Sequence, residues 1–175
     1  MFEVEQKIKN VLFDVDGVFT DGSFYYSADG KILKKFGPED GDGIRFLKSI
    51  GVKLSAISAD HRGFEITRSR MSDLKIPLEL VSEPERHAYI SQHFDLSSLA
   101  FVADGIFDAK SLGEVRCGIA PSNASRAAKR AANFITSARG GEGAVAEAAF
   151  FIGRQYFPSN FENFIVENGF NETDF

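Results

Sequence analysis

Val11-Leu12-Phe13-Asp14-Val15-Asp16-Gly17-Val18-Phe19-Thr20-Asp21-Gly22 begins as a short apolar run and breaks into carboxylates and glycine. That is the pattern of a strand buried on both faces whose end opens into a loop. Alternation along a strand puts Asp14 and Asp16 on the same side of its end, and Gly17 permits the tight departure that follows. Two like charges this close are costly unless a cation or hydrogen bonds compensate them.

Outward from this stretch, apolar runs recur at residues 52–57, 78–81, 99–103, 117–120 and, more weakly, 134–135. Helix-length segments lie between and after them, at 43–50, 62–74, 85–94, 106–112, 122–132 and 142–153. Strand alternating with helix predicts an α/β fold with a parallel sheet covered on both faces. Residues 23–36 interrupt the alternation. There Ser23-Phe24-Tyr25-Tyr26-Ser27 and Ile32-Leu33-Lys34-Lys35-Phe36 flank Ala28-Asp29-Gly30-Lys31, and Asp-Gly between such runs is a hairpin signal.

Ligands of open parallel sheets bind outside the carboxyl ends of the strands. The run at 99–103 ends in Ala103-Asp104-Gly105-Ile106-Phe107-Asp108. If it lies beside the first strand, Asp14, Asp16, Asp104 and Asp108 converge. Oxygen-only ligands of this kind suit a hard, hydrated cation, Mg²⁺ above all. Asp108 has an ordinary alternative as a dipole-stabilising residue in the first turn of a helix, and Ser58 as a helix cap. His61, His87 and His93 have no metal-ligand spacing, and the single cysteine, Cys117, sits in an apolar stretch and reads as a core residue.

The 175 residues suffice for one domain, taken as 1–175, with the hairpin at about 23–36 and an aromatic tail at about 153–175. With 25 Asp+Glu against 20 Lys+Arg, the net charge of -5 argues against nucleic acid or an anionic membrane as partner. No apolar run approaches the ~20 residues of a bilayer span. The start, MFEVEQKIKN, lacks the basic-then-apolar order of a secretory leader, so the expected location is cytoplasmic. Nine acids (Asp14, Asp16, Asp21, Glu39, Asp40, Asp42, Asp60, Asp104 and Asp108) fall in loops expected at one edge of the sheet, a cation-binding rim.

Asp14-x-Asp16-Gly17-Val18-Phe19-Thr20-Asp21-Gly22 at a strand end, Ser58 at the tip of the next parallel strand, and Asp104 with Asp108 resemble motifs one, two and four of the haloacid dehalogenase (HAD) superfamily of phosphotransferases. Thr20-Asp21-Gly22 leading to a hairpin, Asp40-Gly41-Asp42-Gly43-Ile44, and Thr136-Ser137-Ala138-Arg139-Gly140-Gly141-Glu142-Gly143-Ala144-Val145 are similar to its capless KDO 8-phosphate phosphatase group. Relatives of that group include phosphatases of nine-carbon keto-sugar acids and the HAD-like domain of animal CMP-sialate synthetases. The resemblance covers about residues 8–152.

It implies a Rossmann-like three-layer fold with the hairpin inserted after the first strand, and a Mg²⁺-dependent phosphatase of a phosphorylated keto-sugar acid. Asp14 would be the nucleophile and Asp16 the general acid and base. Mg²⁺ would be held by Asp14, the backbone carbonyl of Asp16, and Asp104. Ser58 would bind phosphate and Asp108 would stand behind the metal ligands. Homotetramerisation through the hairpin, with Phe24, Tyr25, Tyr26 and Phe36, is also implied, as is a small phosphorylated sugar acid for a partner.

The chain departs from the group in four places. Ser58-Ala59-Asp60 replaces Thr-Gly-Arg, Glu39 replaces a basic residue before Asp40-Gly41, and Gly105 replaces the second Asp of motif four. The motif-three lysine is missing; Arg86 stands in its place, with Lys110 as the other candidate. These changes motivate an alternative from a different class, a catalytically weakened HAD-like module for oligomerisation or partner binding. A receiver-like phosphoacceptor also clusters Asp on a parallel sheet, but the hairpin and Gly140-Gly141-Glu142-Gly143 fit it poorly.

Overall fold

The computed structural model describes residues 8–171. The domain bounds expected at 1–7 and 172–175, and the reading of the first residues as no leader, fall outside them. Six parallel strands form one sheet: β1 (Asn10–Asp14), β4 (Lys53–Ser58), β5 (Leu78–Leu80), β6 (Leu99–Val102), β7 (Cys117–Ala120) and β8 (Phe134–Ile135), in the order β5-β4-β1-β6-β7-β8. The chain first builds outward from β1 through β4 to β5, then returns to the other side of β1 with β6. That reversal opens a crevice at the carboxyl ends of β1 and β6, where Phe13 is in register with Val102. The expected α/β three-layer class is the observed one.

β2 (Tyr25–Ser27) and β3 (Gly30–Leu33) form the antiparallel hairpin as a separate two-stranded sheet. Helices α1 (Asp40–Ser49), α2 (Phe64–Asp73), α3 (Arg86–His93), α4 (Ala109–Glu114), α5 (Arg126–Ala131), α6 (Ala144–Tyr156) and α7 (Pro158–Asn168) complete the chain. The strands read as continuous apolar runs because both faces are covered. Val11 and Phe13 join one core with Phe46, Val145 and Ile152, while Leu12 joins the other with Phe101, Ile90 and Leu112. No helix among the described residues is long and apolar enough to cross a membrane.

Several boundaries differ from the sequence reading. The segment expected helical from 106 starts at Ala109, because Gly105 and Ile106 close turns with Asp108 and Ala109 first. α1 starts earlier than expected: Gly41 and Asp42 donate to the Pro38 and Glu39 carbonyls and wind the first turn. Within the described residues, the aromatic tail is the last turn of α6 and the whole of α7, both docked on the domain. Phe161 and Ile165 of α7 are buried, and Phe46 meets the rings of Phe150, Phe161 and Phe164 at 5.6, 5.8 and 4.9 Å. Full burial of a side chain such as Phe46 contributes about 1.5–3 kcal/mol. The phenylalanine excess is therefore part of the home core. Phe36, expected at a subunit interface, packs half-buried on that core, and its backbone bridges to Thr20.

Candidate active site

Asp14 is the last residue of β1, and Asp104 follows the end of neighbouring β6 by two residues. Carboxylate oxygens of Asp14, Asp104 and Asp108 lie within 4.8 Å of one another. Arg86, the first residue of α3, enters this cluster from the loop after β5. Its Nη1 donates to Asp14 Oδ2 at 2.8 Å and its Nη2 to Asp14 Oδ1 at 2.9 Å, a two-pronged grip. Nη1 also reaches both oxygens of Asp108, at 2.9 and 3.1 Å. Of the two candidates for the missing lysine's charge, Arg86 touches Asp14, and Lys110 is exposed.

Asp108 is not the dipole-stabilising residue of its ordinary reading. It precedes α4, makes no capping bond, and turns its carboxylate to Arg86 and to the Gly105 N–H, 3.0 Å away. With three acids around one guanidinium, burial prevails over attraction. Desolvation, partly offset by Arg86, pushes Asp14 up to about 8. Desolvation and the Asp108 charge lift Asp104 to about 6. Against the opposing effect of burial, Asp14 and Asp108 raise the Arg86 guanidinium further, so it stays charged.

Asp16 belongs to a second group. Lys34 Nζ lies 2.8 Å from Asp16 Oδ1 and donates to Oδ2 at 3.0 Å. Ser58 Oγ donates to the same Oδ2 at 3.3 Å, so Oδ1 is in ionic contact but accepts no directed hydrogen bond. Lys34 Nζ also meets Asp60 Oδ2 at 2.8 Å and donates to Thr67 Oγ1 at 2.8 Å. Lys31 Nζ sits 2.5 Å from the same Asp60 oxygen and 3.4 Å from the centre of the Phe24 ring. Against the upward push of burial, the two ammoniums and the Gly63 N–H bring Asp60 down to about 2.

The sequence reading missed Lys31 and Lys34. Their signal was two lysines three apart in the hairpin, opposite an acid where the family has arginine. Ser58, expected to offer its hydroxyl to phosphate, is fully buried; it accepts from the Asp60 N–H at 3.1 Å and does not line the cavity described below.

The loop after β1 is buttressed by the glycine stretch. A Cβ on Gly140 would lie 2.0 Å from the Gly17 carbonyl oxygen, so only glycine fits. Asn123 ties the two together, donating to the Gly17 carbonyl at 3.0 Å and accepting from the Gly140 N–H at 2.7 Å. Sequence reading passed over Asn123, which carries no motif signal. Gly17 itself has φ +83°, and a Cβ there would lie 2.1 Å from Asp104 Oδ2.

A cavity of ≈ 380 Å³ opens over both groups, walled by Asp14, Asp16, Phe24, Lys31, Asp60, Arg86, Asp104 and Phe107. A larger hollow of ≈ 930 Å³ lies against Phe46, Phe150 and Phe164. It lacks convergent catalytic groups, so the chemistry belongs to the smaller one. The nine-acid rim is correspondingly reduced. Asp40 is buried against the N-terminus of α6, Asp42 pairs with Arg45, and Glu39 lines the larger hollow.

No family model matches the chain. It is 31% identical over 160 residues to 3-deoxy-D-manno-octulosonate (KDO) 8-phosphate phosphatase KdsC of Haemophilus influenzae, covering 85% of this chain and 86% of that one. The KDO 8-phosphate phosphatase of Moraxella catarrhalis, solved in complex with magnesium, phosphate and KDO, superposes with a TM-score of 0.82 at 28% identity, over 93% of this chain and 94% of that one. A HAD superfamily (subfamily III A) hydrolase from Legionella pneumophila gives 0.78 at 27%, over 93% and 92%. Paired carboxylates at adjacent strand ends, an inserted hairpin and a 31% identical relative matched along 86% of its length lead to one assignment: the chain belongs to the KDO 8-phosphate phosphatase family of the HAD superfamily.

Proposed function

We propose that this protein is a Mg²⁺-dependent phosphatase of a phosphorylated keto-sugar acid, KDO 8-phosphate or a sialic-acid-like 9-phosphate, working through an aspartyl-phosphate on Asp14. The observation that carries this reading is the cluster of Asp14, Asp104 and Asp108 within 4.8 Å around Arg86, at the mouth of a cavity. The donors fit a hard cation. They are all carboxylate oxygens; burial first, and the neighbouring carboxylates after it, raise Asp14 to about 8 and Asp104 to about 6, and a bound cation would relieve that cost. Asp14, Asp104 and the backbone carbonyl of Asp16 would hold Mg²⁺, with Asp108 behind them. Bound there, Mg²⁺ would offset charge between nucleophile and phosphate and orient the transferring oxygens.

In the first step an Asp14 oxygen attacks phosphorus and the bond to the sugar oxygen breaks, while Asp16 gives its proton to that oxygen. In the second, Asp16 takes a proton from water, the water oxygen attacks phosphorus, and the bond to Asp14 breaks, releasing phosphate. Arg86 keeps the Asp14 carboxylate aimed and favours its charged form against the effect of burial. Ser58 supports Asp16 from below, a role its bond to Oδ2 favours over direct phosphate contact.

The wider reading is one domain over 1–175, cytoplasmic, tetrameric through the hairpin. Exposure of Tyr25, Tyr26, Ile32 and Leu33 on a two-stranded sheet supports the last point, since a lone hairpin is marginal in water.

Phosphate release from KDO 8-phosphate with Mg²⁺ tests the proposal. Wild type is expected to turn over and Asp14→Asn to fall by about 10³-fold or more. Equal, slow release by both would overturn it in favour of a non-catalytic module.

A further inference from the structure

The hairpin does more than expose aromatic side chains. It sends Lys34 under the sheet edge, where its side chain has no solvent exposure and its ammonium meets Asp16, Asp60 and Thr67, each within 3.0 Å. A lysine ammonium has three donors, and here each has a partner, so Nζ is fixed in place. Burying it is tolerable only because Asp16 and Asp60 balance its charge. Lys31 then balances Asp60 from the other side. The four groups alternate in sign from Asp16 to Lys34 to Asp60 to Lys31.

We propose that Lys34 is a positioning residue for Asp16, fixing the orientation in which its carboxylate meets the leaving sugar oxygen; this rests on the phosphatase reading above. Lys34 and Ser58 both donate to Oδ2 and hold it as an acceptor. Oδ1 is buried and lies 2.8 Å from the same ammonium, so Lys34 holds both oxygens and the Asp16 carboxylate meets the cavity in one orientation. Asp60 acts through Lys34. It stands where the family has an arginine, yet its carboxylate is spent on two lysines and the Gly63 N–H, 3.1 Å away. The hairpin is thereby a part of the proton-transfer apparatus, contributed from outside the main sheet.

A positioning role predicts dependence on the leaving group. A sugar alkoxide needs the proton, whereas the weakly basic p-nitrophenolate leaves without it. Lys34→Met should therefore lower kcat on a sugar phosphate by roughly 10²-fold while changing kcat on p-nitrophenyl phosphate by less than about threefold, with KM unchanged for both. Thr67→Val removes one acceptor from Lys34 without touching the cavity and should show the same selectivity, smaller in size. A rise in KM on both substrates would mean that Lys34 binds phosphate, and equal loss of kcat on both would mean a merely structural role; either overturns the proposal. Wild-type turnover that Asp14→Asn leaves intact would instead sink the phosphatase reading. Independently of turnover, a crystal structure of Lys34→Met in which Asp16 still turns Oδ2 to Ser58 would also overturn it.

Discussion

Asp14 and Asp60 both lie at the carboxyl edge of the sheet, and their surroundings drive them in opposite directions. Around Asp14, the buried Asp108 and the half-buried Asp104 crowd against a single guanidinium, and burial pushes Asp14 up to about 8. Around Asp60, two carboxylates meet two ammoniums, and it falls to about 2. Burial raises both; the count of opposite charges decides which effect wins. The first group is short of positive charge and is where a cation fits. The second is closed, with its charges already matched, and serves to hold Asp16.

The largest break in this contrast comes from crowding the first group. In Gly17→Ala the new methyl would overlap Asp104 Oδ2, at a backbone φ of +83° that disfavours a side chain. Sugar-phosphate turnover should drop by roughly 10²-fold, and chemical denaturation should show a loss of about 1–3 kcal/mol. Wild-type turnover in this variant would mean that Asp104 is not confined as described.

Titration with Mg²⁺ sharpens the contrast next. A cation that binds only the folded state stabilises it by about 2.7 kcal/mol at a hundredfold excess over Kd. Thermal melts of the wild type should rise with Mg²⁺. Asp104→Asn should lose the response, whereas Asp60→Asn should keep it, because only the first group is short of charge. A response lost in Asp60→Asn and kept in Asp104→Asn would invert the assignment.

The first group was legible in the sequence and the second was not, for a physical reason. Asp14, Asp16 and Asp104 announce themselves because strand ends and glycine turns impose fixed local spacing, so position along the chain implies position in space. The sheet was legible on the same grounds, each buried strand being an apolar run of nearly its full length. Lys34 and Asp60 meet across 26 residues through the packing of a hairpin on a loop, and local spacing says nothing about such a contact. Read alone, Asp60 was an acid in the wrong place; with Lys31 and Lys34 beside it, the acid is neutralised. The aromatic tail was ambiguous for a similar reason, since its pairing with Phe46 depends on how α6 and α7 close over α1. Asp40 was misjudged because its loop starts at the sheet edge but turns inward.

Asp40 provides the smallest effect and a control on the contrast, because it is a buried carboxylate outside the ion pairs described above, with Arg70 the smallest of the influences on it. Its Oδ1 accepts from the Val145 N–H at 3.2 Å, at the start of α6, while Oδ2 has no hydrogen-bond partner. Desolvation outweighs the backbone N–H groups of Val145 and Ala146 and raises it from 3.8 to about 7. For an acid this means that the folded state holds the proton more tightly than the unfolded chain does. Stability is therefore unaffected below about 4, declines as pH rises from about 4 to 7, and levels off above. Between pH 6 and 8 this group alone should remove about 1.4 kcal/mol. Asp40→Asn keeps an acceptor for Val145 and cannot titrate, so its unfolding free energy should fall by that much less than wild type over the same interval. Parallel declines, measured by denaturant unfolding at both pH values, would show that Asp40 is already ionised at pH 6 and that the helix terminus alone supports its charge.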